Sequence, residues 1–428
     1  MSEMYSWSEY SFFDKILLNH KVKLQQGEVY PFIDMPSVGV GMRAPERVRF
    51  KEYTGGGVKF SRNDTLIARI EPCLQNGKRF YFREGDVGFG STEYIVFSPK
   101  DDSVDPMFLF YYLNQERTNR RFESAMAGTS GRRRVDTSFL DSYRILLPGI
   151  NNQKKIAAVL SIIDDKIELN RRLNDNLEAT AQALYDYWFV QFDFPDENGK
   201  PYKSSGGKMV WNEVLKREIP DGWEVCAIKD ILNPQKAPFR LDAKQYKQAG
   251  LYPIFDQATD NYIAGYTDNP DVLQNTYPAV IFGDHSCTVK LAPSPYARGA
   301  DGTQVMTTSH PNLPVYYFYR YIKSTKVPNP GYSRHFKFLK SSFIIIPDNE
   351  IVTRFNAAVG CIEEKVWILH QERQNLSIHR DFLLPLLMNG QVQVKPLNYR
   401  LSLIFKLPNK NKKTFIQRSI FPQKLMHY

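Results

Sequence analysis

The sequence predicts an α/β (α+β) fold, in which two mixed α/β domains are separated and joined by two long helices. The first observation behind this prediction is a duplication, because one pattern returns 199 positions later without an insertion. The second is a pair of heptad repeats, and the third is the β-rich sequence that precedes each of them. The duplicated segments are Ile145–Pro148, Ile163–Ile167 and Asn176–Leu177, which return as Ile344–Pro347, Ile362–Val366 and Asn375–Leu376.

The bulk composition is that of a folded chain. A length of 428 residues suffices for two or three domains, and an aromatic content of 14% argues against disorder. No apolar run approaches the roughly 18 residues of a membrane span, and the N-terminus lacks the features of a signal peptide. We therefore expect a cytoplasmic protein without a membrane anchor. The four cysteines lie 61 or more positions apart, so we expect neither a zinc site nor a disulfide framework.

The positive charge is concentrated at one end of the chain. The formal net charge is +10, but residues 395–428 carry eight Lys or Arg and no Asp or Glu. The remaining residues therefore have a net charge of only +2. Any affinity of the folded body for nucleic acid must come from local basic clusters.

The first domain, residues 1–150, alternates predicted strands with glycine-rich turns. Thr65–Ile70 and Tyr94–Phe97 have the composition of strands, and Gly55–Gly57 marks a turn. An apolar helix over Pro106–Phe122 is predicted to pack on the sheet that these strands form.

The first helical spacer spans residues 151–190, where apolar residues recur every seven positions from Asn152 to Phe189. Asn170 lies at the centre of this seam. A buried Asn in a coiled coil costs stability and fixes register and partner. The predicted seam consists of Ile156, Ile163, Asn170, Leu177 and Leu184.

A linker is predicted at residues 191–218, and the second domain spans residues 219–347. The second helical spacer, residues 348–394, contains a predicted helix from Asn349 to Met388. The basic tail, residues 395–428, shows no clear periodicity and is predicted to be disordered. The second seam consists of Phe355, Ile362, Leu369, Leu376 and Leu383.

Each spacer helix of about 38 residues would be about 57 Å long. Two such helices, separated in sequence by a whole domain, can pair antiparallel and place the two domains at opposite ends. We therefore expect an antiparallel coiled coil with a pseudo-twofold internal repeat, which would hold the two domains a fixed distance apart.

The chain carries six motifs in order, namely Gly128–Val135, Ile145–Pro148, Asn152–Ala157, Ile162–Asn170, Ile219–Val225 and Leu384–Gly390. Together they resemble the specificity subunits of type I restriction-modification systems, although no single motif is specific. The resemblance extends from the N-terminal region to about Val394. Two features depart from the family pattern. The first domain opens with Trp7–Tyr10 in place of the lead seen at Ile219–Trp223, and the tail after Pro396 has no counterpart.

The resemblance implies two target-recognition domains, each reading one half of a gapped target in double-stranded DNA. It also implies that the two helices form an antiparallel coiled coil and dock two adenine-methyltransferase (modification) subunits. Restriction/translocase subunits would complete a host-defence complex. S-adenosylmethionine, ATP and Mg²⁺ would be bound by the partner subunits, and this chain would be non-catalytic and hold no cofactor.

In the first domain, two segments combine residues that bind phosphates with residues that can reach base edges. One runs from Arg69 to Arg79, and the other is the loop from Thr129 to Arg134. A solvated charged face is the alternative for both. The position of the loop in the family pattern favours DNA binding there, whereas both alternatives stay open for the first segment. The candidates are Arg69, Gln75, Asn76, Lys78, Arg79, Thr129, Ser130, Arg132, Arg133 and Arg134.

In the second domain, Pro330–His335 stands where Gly128–Arg134 stands in the first. Arg334 and His335 are favoured, because they occupy the same position before the helix as the arginines of the first domain. Aromatic residues such as Tyr262 are expected in the core, since the whole chain is rich in them. The candidates here are Tyr262, Lys290, Arg298, Arg334, His335 and Lys337.

Several kinds of catalytic motif are absent from the sequence. There is no Asp/Asn-Pro-Pro-Phe/Tyr run of an adenine methyltransferase and no P-loop. Asp284-His285-Ser286 contains the residue types of a catalytic triad, but sequence neighbours rarely face one another and no nucleophile elbow is present.

Three hypotheses about function are consistent with these patterns. The leading one is a non-catalytic DNA-specificity subunit whose coiled coil fixes the gap in its target. The second is a protein-binding scaffold with two β-rich heads on a coiled coil, which the near-neutral charge of the body favours. The third, a self-contained restriction enzyme, would need a nuclease or methyltransferase domain for which no segment remains.

Overall fold

The computed structural model describes residues 6–129, 131–233, 239–259, 261–274, 276–327 and 334–394. The chain divides into two compact units, residues 1–165 with 379–428 and residues 166–378. Two long helices, α5 (Ile150–Tyr185) and α9 (Asn349–Met388), each contribute to both units. The predicted disorder of residues 395–428 falls outside the described residues, as does the candidate Ser130.

The first unit contains two four-stranded sheets with the orders β2-β9-β6-β7 and β4-β3-β8-β5, and the pairs β1-β12 and β10-β11. Its strands are β1 (Trp7–Ser11), β2 (Ile16–Leu18), β3 (Val29–Ile33), β4 (Arg49–Glu52), β5 (Val58–Ser61), β6 (Thr65–Ala68), β7 (Arg79–Tyr81), β8 (Val87–Gly90), β9 (Tyr94–Pro99), β10 (Met126–Ala127), β11 (Arg134–Val135) and β12 (Arg144–Pro148). Its shorter helices are α1 (Phe12–Lys15), α2 (Glu71–Gln75), α3 (Pro106–Leu113) and α4 (Glu116–Ser124).

Helix α3 lies at the centre of the first hydrophobic core. It begins at Pro106, and the side chain of Asp105 caps it by accepting a hydrogen bond from Phe108 N at 2.8 Å. The last six residues of α3 are all buried, because the helix packs on the sheet and against α5 and α9. The single helix predicted over Pro106–Phe122 is in fact two helices, since Gln115 adopts an extended conformation between them.

The second unit contains a four-stranded sheet with the order β17-β16-β21-β18, a three-stranded sheet β20-β19-β22, and the pairs β13-β14 and β15-β23. Its strands are β13 (Met209–Asn212), β14 (Arg217–Pro220), β15 (Glu224–Ala227), β16 (Tyr252–Phe255), β17 (Gly265–Thr267), β18 (Leu273–Gln274), β19 (Ala279–Gly283), β20 (Val289–Ala292), β21 (Tyr296–Arg298), β22 (Thr303–Met306) and β23 (Phe343–Ile346). Its shorter helices are α6 (Ile228–Ile231), α7 (Val315–Ser324) and α8 (Phe336–Ser341).

The two units share a sheet topology. In the first, β3 and β8 are parallel and are flanked by the antiparallel strands β4 and β5. In the second, β16 and β21 are parallel and are flanked in the same way by β17 and β18. The strand order also recurs in β9-β6-β7 and β22-β19-β20, and the pair β1-β12 corresponds to β15-β23. This correspondence allows positions in the two units to be compared.

The predicted linker, residues 191–218, has more structure than its composition indicates. Met209–Asn212 pairs with Arg217–Pro220 in a β-hairpin. Phe194 stacks on Tyr202 and on Trp223, with ring centroids 4.6 and 5.2 Å apart. The segment therefore packs on the second core through aromatic contacts.

The two long helices end close to their predicted limits. Helix α9 has the predicted bounds, whereas α5 begins two residues earlier than predicted and continues as a π-helical turn over Asp186–Val190. Of the predicted seam residues, four are buried and six are half-buried. The buried ones are Ile156, Asn170, Phe355 and Leu369, and the half-buried ones are Ile163, Leu177, Leu184, Ile362, Leu376 and Leu383.

Candidate nucleic-acid interface

The arginine loop of the first unit is held by two carboxylates. Glu71, at the start of α2, accepts hydrogen bonds from the backbone N of Gly131 at 3.0 Å and from Nε of Arg133 at 3.0 Å. Glu93 accepts from Nε of Arg134 at 3.0 Å and from its Nη2 at 2.7 Å. These hydrogen bonds raise the pKa of both guanidinium groups and lower the pKa of both carboxyl groups.

Backbone contacts bring Arg69 to the same place. Its backbone N donates to Glu93 O at 2.8 Å, and its carbonyl accepts from Val135 N at 2.9 Å. Arg69 is half-buried and its charge contributes to lowering the pKa of Glu93, after the larger effect of Arg134. Arg132 is exposed, and among the described residues no carboxylate lies within ion-pair distance of it. The loop thus offers one unpaired arginine and two that are oriented by acids.

In the second unit, arginines gather around Asp301. Its carboxylate lies 2.6 Å from Nη1 of Arg240 and 3.5 Å from Nη2 of Arg334. Arg298 lies beside them, since its carbonyl accepts a hydrogen bond from Leu241 N at 2.9 Å. Burial and then the neighbouring charge of Arg240 lower the pKa of Arg298. One carboxylate among three arginines leaves this surface positive.

Glu93 and Asp301 occupy the same place in the shared topology. Each lies in the turn that joins the parallel strand, β8 or β21, to the next strand, β9 or β22. Each also contacts an arginine from the segment before the last strand of its domain, Arg134 before β12 and Arg334 before β23. The same combination of acid and arginine therefore occurs at equivalent positions in both units.

Three predicted DNA-contacting residues are buried, and the structure contradicts their assignment. Nη1 of Arg79 donates to Leu113 O at 3.1 Å and to Asn119 Oδ1 at 2.6 Å, and burial lowers its pKa to about 10. Nζ of Lys290 donates to Asn261 O at 2.7 Å, and burial lowers its pKa to about 8.

His335 is 2% exposed, and its backbone N donates to Asp284 O at 2.8 Å. All three side chains are buried, because strand pairing and helix packing turn them away from solvent.

The other predicted residues are accessible or partly accessible. Nζ of Lys78 donates to Met35 O at 3.0 Å, and Nζ of Lys337 lies 4.8 Å from the ring of Phe338. Tyr262 belongs to the core, as expected, because its hydroxyl donates to Leu291 O at 2.9 Å and its ring stacks on His370 at 4.1 Å. Three further candidates have exposed side chains, namely Gln75, Asn76 and Thr129.

Sequence reasoning missed a basic edge strand. Strand β4 is exposed at every position, and Phe50 is 68% exposed between Arg49 and Lys51. Nζ of Lys51 lies 5.0 Å from the centroid of Phe32, and Arg49 pairs with Asp34. The alternation of basic and apolar residues from Arg47 to Lys51 was the available signal. Arg240 was also missed, since its role depends on Asp301, which is distant in sequence.

Asp284 and Ser286, which have the residue types of a catalytic triad, form hydrogen bonds with other residues and not with each other. Oδ1 of Asp284 accepts from Phe336 N at 2.8 Å, and Oγ of Ser286 accepts from Thr288 N at 3.2 Å. Within the described ranges, no group of three or more His, Cys, Asp or Glu side chains could hold a metal ion. No helix among the same residues is both long and apolar enough to span a membrane.

The chain thus has two α/β domains of the same topology on two long helices, and each domain presents arginines that are held by a carboxylate. Known proteins share this combination of sequence and fold. Residues 15–179 match the family described as the type I restriction modification DNA specificity domain. The type I restriction enzyme MjaIX specificity subunit of Methanocaldococcus jannaschii is 26% identical over 329 residues, which cover 70% of this chain and 72% of that protein. The HindI specificity subunit of Haemophilus influenzae is 25% identical over 416 residues, covering 80% of this chain and 89% of that one.

The fold agrees with these sequence relationships. The crystal structure of the S subunit of a type I restriction-modification system from M. genitalium has a TM-score of 0.53 and 17% identity to this chain, and covers 90% of this chain and 97% of its own. The protein is a homologue of type I restriction-modification specificity subunits, as its motifs predicted.

Proposed function

We propose that this chain is the sequence-specificity subunit of a type I restriction-modification complex and that it reads a bipartite, gapped DNA target. The observation that carries the proposal is the repeated arrangement of Glu93 with Arg134 and Asp301 with Arg334. A bipartite target needs two reading sites, and these are two equivalent basic sites on two domains of the same topology.

The chemistry of each site suits base reading next to phosphate binding. A carboxylate that binds a guanidinium holds its planar donors in a fixed orientation, and arginine presents two donors that match O6 and N7 of guanine. Arg134 and Arg334 are therefore assigned to base edges. Arg132 and the exposed cations of β4 are assigned to phosphates, which supply affinity without sequence information.

The two long helices are assigned as an antiparallel coiled coil that sets the gap. In the second unit, Nδ2 of Asn170 on α5 donates to Glu372 Oε2 on α9 at 2.8 Å, and Lys166 lies 3.4 Å from the same carboxylate. In the first unit, Asp164 on α5 lies 2.9 Å from Arg380 on α9. In each unit the two helices thus meet through polar contacts as well as apolar ones. The gap in the DNA target would follow from their length.

Catalysis is assigned to other chains. Two methyltransferase subunits would bind S-adenosylmethionine and methylate adenine, and restriction/translocase subunits would use ATP and Mg²⁺. The chain would act in the cytoplasm, where these partners and the DNA are present.

The proposal is tested by mapping N6-methyladenine in a methylation-free host that expresses this chain with its methyltransferase subunit. We expect one gapped motif that disappears when this chain is omitted. A soluble, stoichiometric complex that methylates no motif would overturn the proposal in favour of a protein-binding scaffold.

The role of the helices has a separate test. Inserting seven residues into both α5 and α9 beside the Asn170–Glu372 contact, where the two helices face each other, lengthens each helix by about 10 Å, which corresponds to about three base pairs. We expect a longer gap between two unchanged half-sites. A seven-residue insertion in the loop at residues 204–207 is the matched control and should leave the gap unchanged. An unchanged gap in the helix variant would contradict the assignment.

A further inference from the structure

Among the described residues, each unit has a buried ionic cluster where its globular domain meets the long helices. In the first cluster, Asp164 of α5 lies 2.9 Å from Nη1 of Arg380 of α9 and accepts a hydrogen bond at 2.6 Å from the hydroxyl of Tyr111 of α3. Nη1 of Arg380 also donates to Gly41 O at 2.8 Å. The side chains of Asp164 and Arg380 are only 3% and 8% exposed. All of these groups are paired within the first unit.

The second cluster is built around Arg320 of α7, which is fully buried. Its Nε donates to Glu363 of α9 at 2.6 Å, and its Nη1 donates to Glu178 of α5 at 2.8 Å. Lys323, also on α7, lies 2.7 Å from the same oxygen of Glu178. Burial alone would lower the pKa of Arg320, but the two carboxylates outweigh this and raise it. The guanidinium therefore stays charged inside the protein.

The two clusters occupy equivalent positions. Asp164 and Glu363 are 199 positions apart, within the duplicated helical segments. Tyr111 and Arg320 are each the sixth residue of the helix that packs on the sheet of their domain. The equivalent of Lys323 by the same alignment is Asn114. The clusters thus share the positions of the helix acid and of the domain residue that binds it, but they differ in their other members and in the distribution of charge.

The charges balance only when each domain lies on its own part of the helices. In the first cluster the domain supplies a neutral hydroxyl, and the helices supply one buried acid, Asp164, and one buried base, Arg380. Nε of Arg380 also donates to Asp381 at 2.9 Å, but that carboxylate is 64% exposed and therefore lies outside the buried charge balance. In the second cluster the domain supplies two cations, and the helices supply two acids. The first domain on the second site would leave two carboxylates without a cation. The second domain on the first site would add two cations to a buried pair, Asp164 and Arg380, that is already balanced.

We infer that these two clusters determine which recognition domain packs at which position on the helices. Each cluster accepts its own domain and excludes the other. Removing one partner of a buried ion pair is strongly destabilising, because the remaining charge is left without solvent or counterion. Exclusion of the wrong partner by unpaired charge is an established source of specificity. The partner that each cluster accepts is therefore the domain of this chain that carries the matching charge.

A neighbouring ion pair does not distinguish the two positions on the helices. Arg43 of the first domain pairs with Asp165 of α5, with Arg83 3.7 Å from the same carboxylate. The equivalent of Asp165 in the second helix is Glu364, which is also an acid. The first domain would find a carboxylate for Arg43 at either position, so this pair cannot distinguish them.

The test compares one set of substitutions in two arrangements of the full chain. The set transfers each domain's contribution to the other: Tyr111→Arg, Asn114→Lys, Arg320→Tyr and Lys323→Asn. One arrangement is the natural order, and the other exchanges residues 7–148 with residues 224–347. The same four substitutions unbalance both clusters in the natural order and rebalance them in the exchanged order.

We expect the effect on stability to reverse sign between the two arrangements. The substitutions should lower the folding equilibrium constant of the natural chain by roughly a hundredfold or more, and raise that of the exchanged chain by a comparable factor. Urea unfolding of each purified full chain measures both changes. An effect of the same sign in both arrangements, or no effect in the exchanged chain, would overturn the inference.

A second experiment decides the question if neither exchanged chain folds. Arg380→Met in the natural chain leaves Asp164 without its counterion, and adding Tyr111→Arg supplies a new one from the domain side. We expect the double variant to recover at least tenfold in folding equilibrium constant over Arg380→Met alone. If the two substitutions lowered the folding equilibrium constant additively, the clusters would not distinguish domains by their charge, and the inference would be overturned.

Discussion

The pair of Glu93 and Arg134 can be replaced by two neutral residues without changing the net charge of the surface. We consider the variant Glu93→Gln with Arg134→Gln. Because one negative and one positive charge are removed together, the attraction of DNA phosphates for this surface should not change. What is lost is the oriented guanidinium, which Glu93 holds through contacts of 3.0 and 2.7 Å.

The expected magnitude follows from the contact that Arg134 is assigned to make. A good bidentate arginine contact with a base contributes about 1–3 kcal/mol of discrimination, so preference for the specific target should fall roughly 5- to 150-fold. The salt dependence of binding should stay that of the unmodified protein. Arg132→Gln should behave in the opposite way. It removes one phosphate contact, which lowers the slope of log K against log salt by about 0.9 and weakens all DNA binding about fivefold at ~0.15 M salt.

The assay is a salt titration of binding, by the chain assembled with its methyltransferase subunits, to a duplex that carries the mapped motif and to one with a scrambled motif. The matched control is Glu116→Gln with Arg120→Gln, which removes an equally neutral pair from α4. Both of its side chains are more than 70% exposed, and it should change neither quantity. If the Glu93/Arg134 variant kept its full preference for the motif, or lost affinity for both duplexes equally, Arg134 would not be a base-reading residue.

Two further predictions concern the stability of the first unit. The pKa of His20 is raised by its hydrogen bond to Asp64, at 2.8 Å, so the stabilisation from this pair is present below the ordinary histidine pKa and is lost as pH rises through the raised value. Urea unfolding should therefore show a larger loss for His20→Gln at pH 5.5 than at pH 8.5, and equal losses would contradict this explanation. Gly57 has a φ of +70°, and a Cβ there would lie 2.6 Å from Gly90 O. Gly57→Ala should cost about 1–3 kcal/mol more than the control Gly56→Ala, which has a similar φ but open space around it; similar losses would show that the clash is relieved.

The long helices could be predicted from sequence because their pattern is local and extended. The bounds Asn349 and Met388 were found from apolar periodicity and from the Asn-Gly stop that follows. The break between α3 and α4 was not found, since nothing in the composition of Asn114 and Gln115 requires an extended residue there. The hairpin within residues 191–218 was missed for a similar reason. Its residues Met209, Val210 and Ile219 pack on the second core, most of which is distant in sequence.

The candidate site could be predicted only in part, because the type of a basic residue does not determine which way it points. Arg79 and Arg134 are both arginines in basic, polar segments, yet one is buried beneath α3 and the other is about half exposed. The difference arises from strand pairing and from the acids that each one meets. Glu93 and Asp301 are separated from their arginines by 41 and 33 positions, so their role becomes visible only in the folded chain.

The polar residues of the long helices show why an apolar seam predicts that helices pair but does not predict their register or their partner. The most consistently buried row on α5 begins at Gln153 and recurs every seven residues, three positions before the predicted seam, and its equivalent on α9 begins at Val352. Its members Leu160 and Ile167 were predicted only to widen the seam, because polar residues such as Gln153, Asn174 and Arg380 interrupt the row. Apolar positions can slide or exchange at little cost, whereas a buried polar group tolerates only the partner that satisfies it. Arg380 lies in this row and binds Asp164, so the positions that hydrophobicity overlooks are the ones that define register and partner.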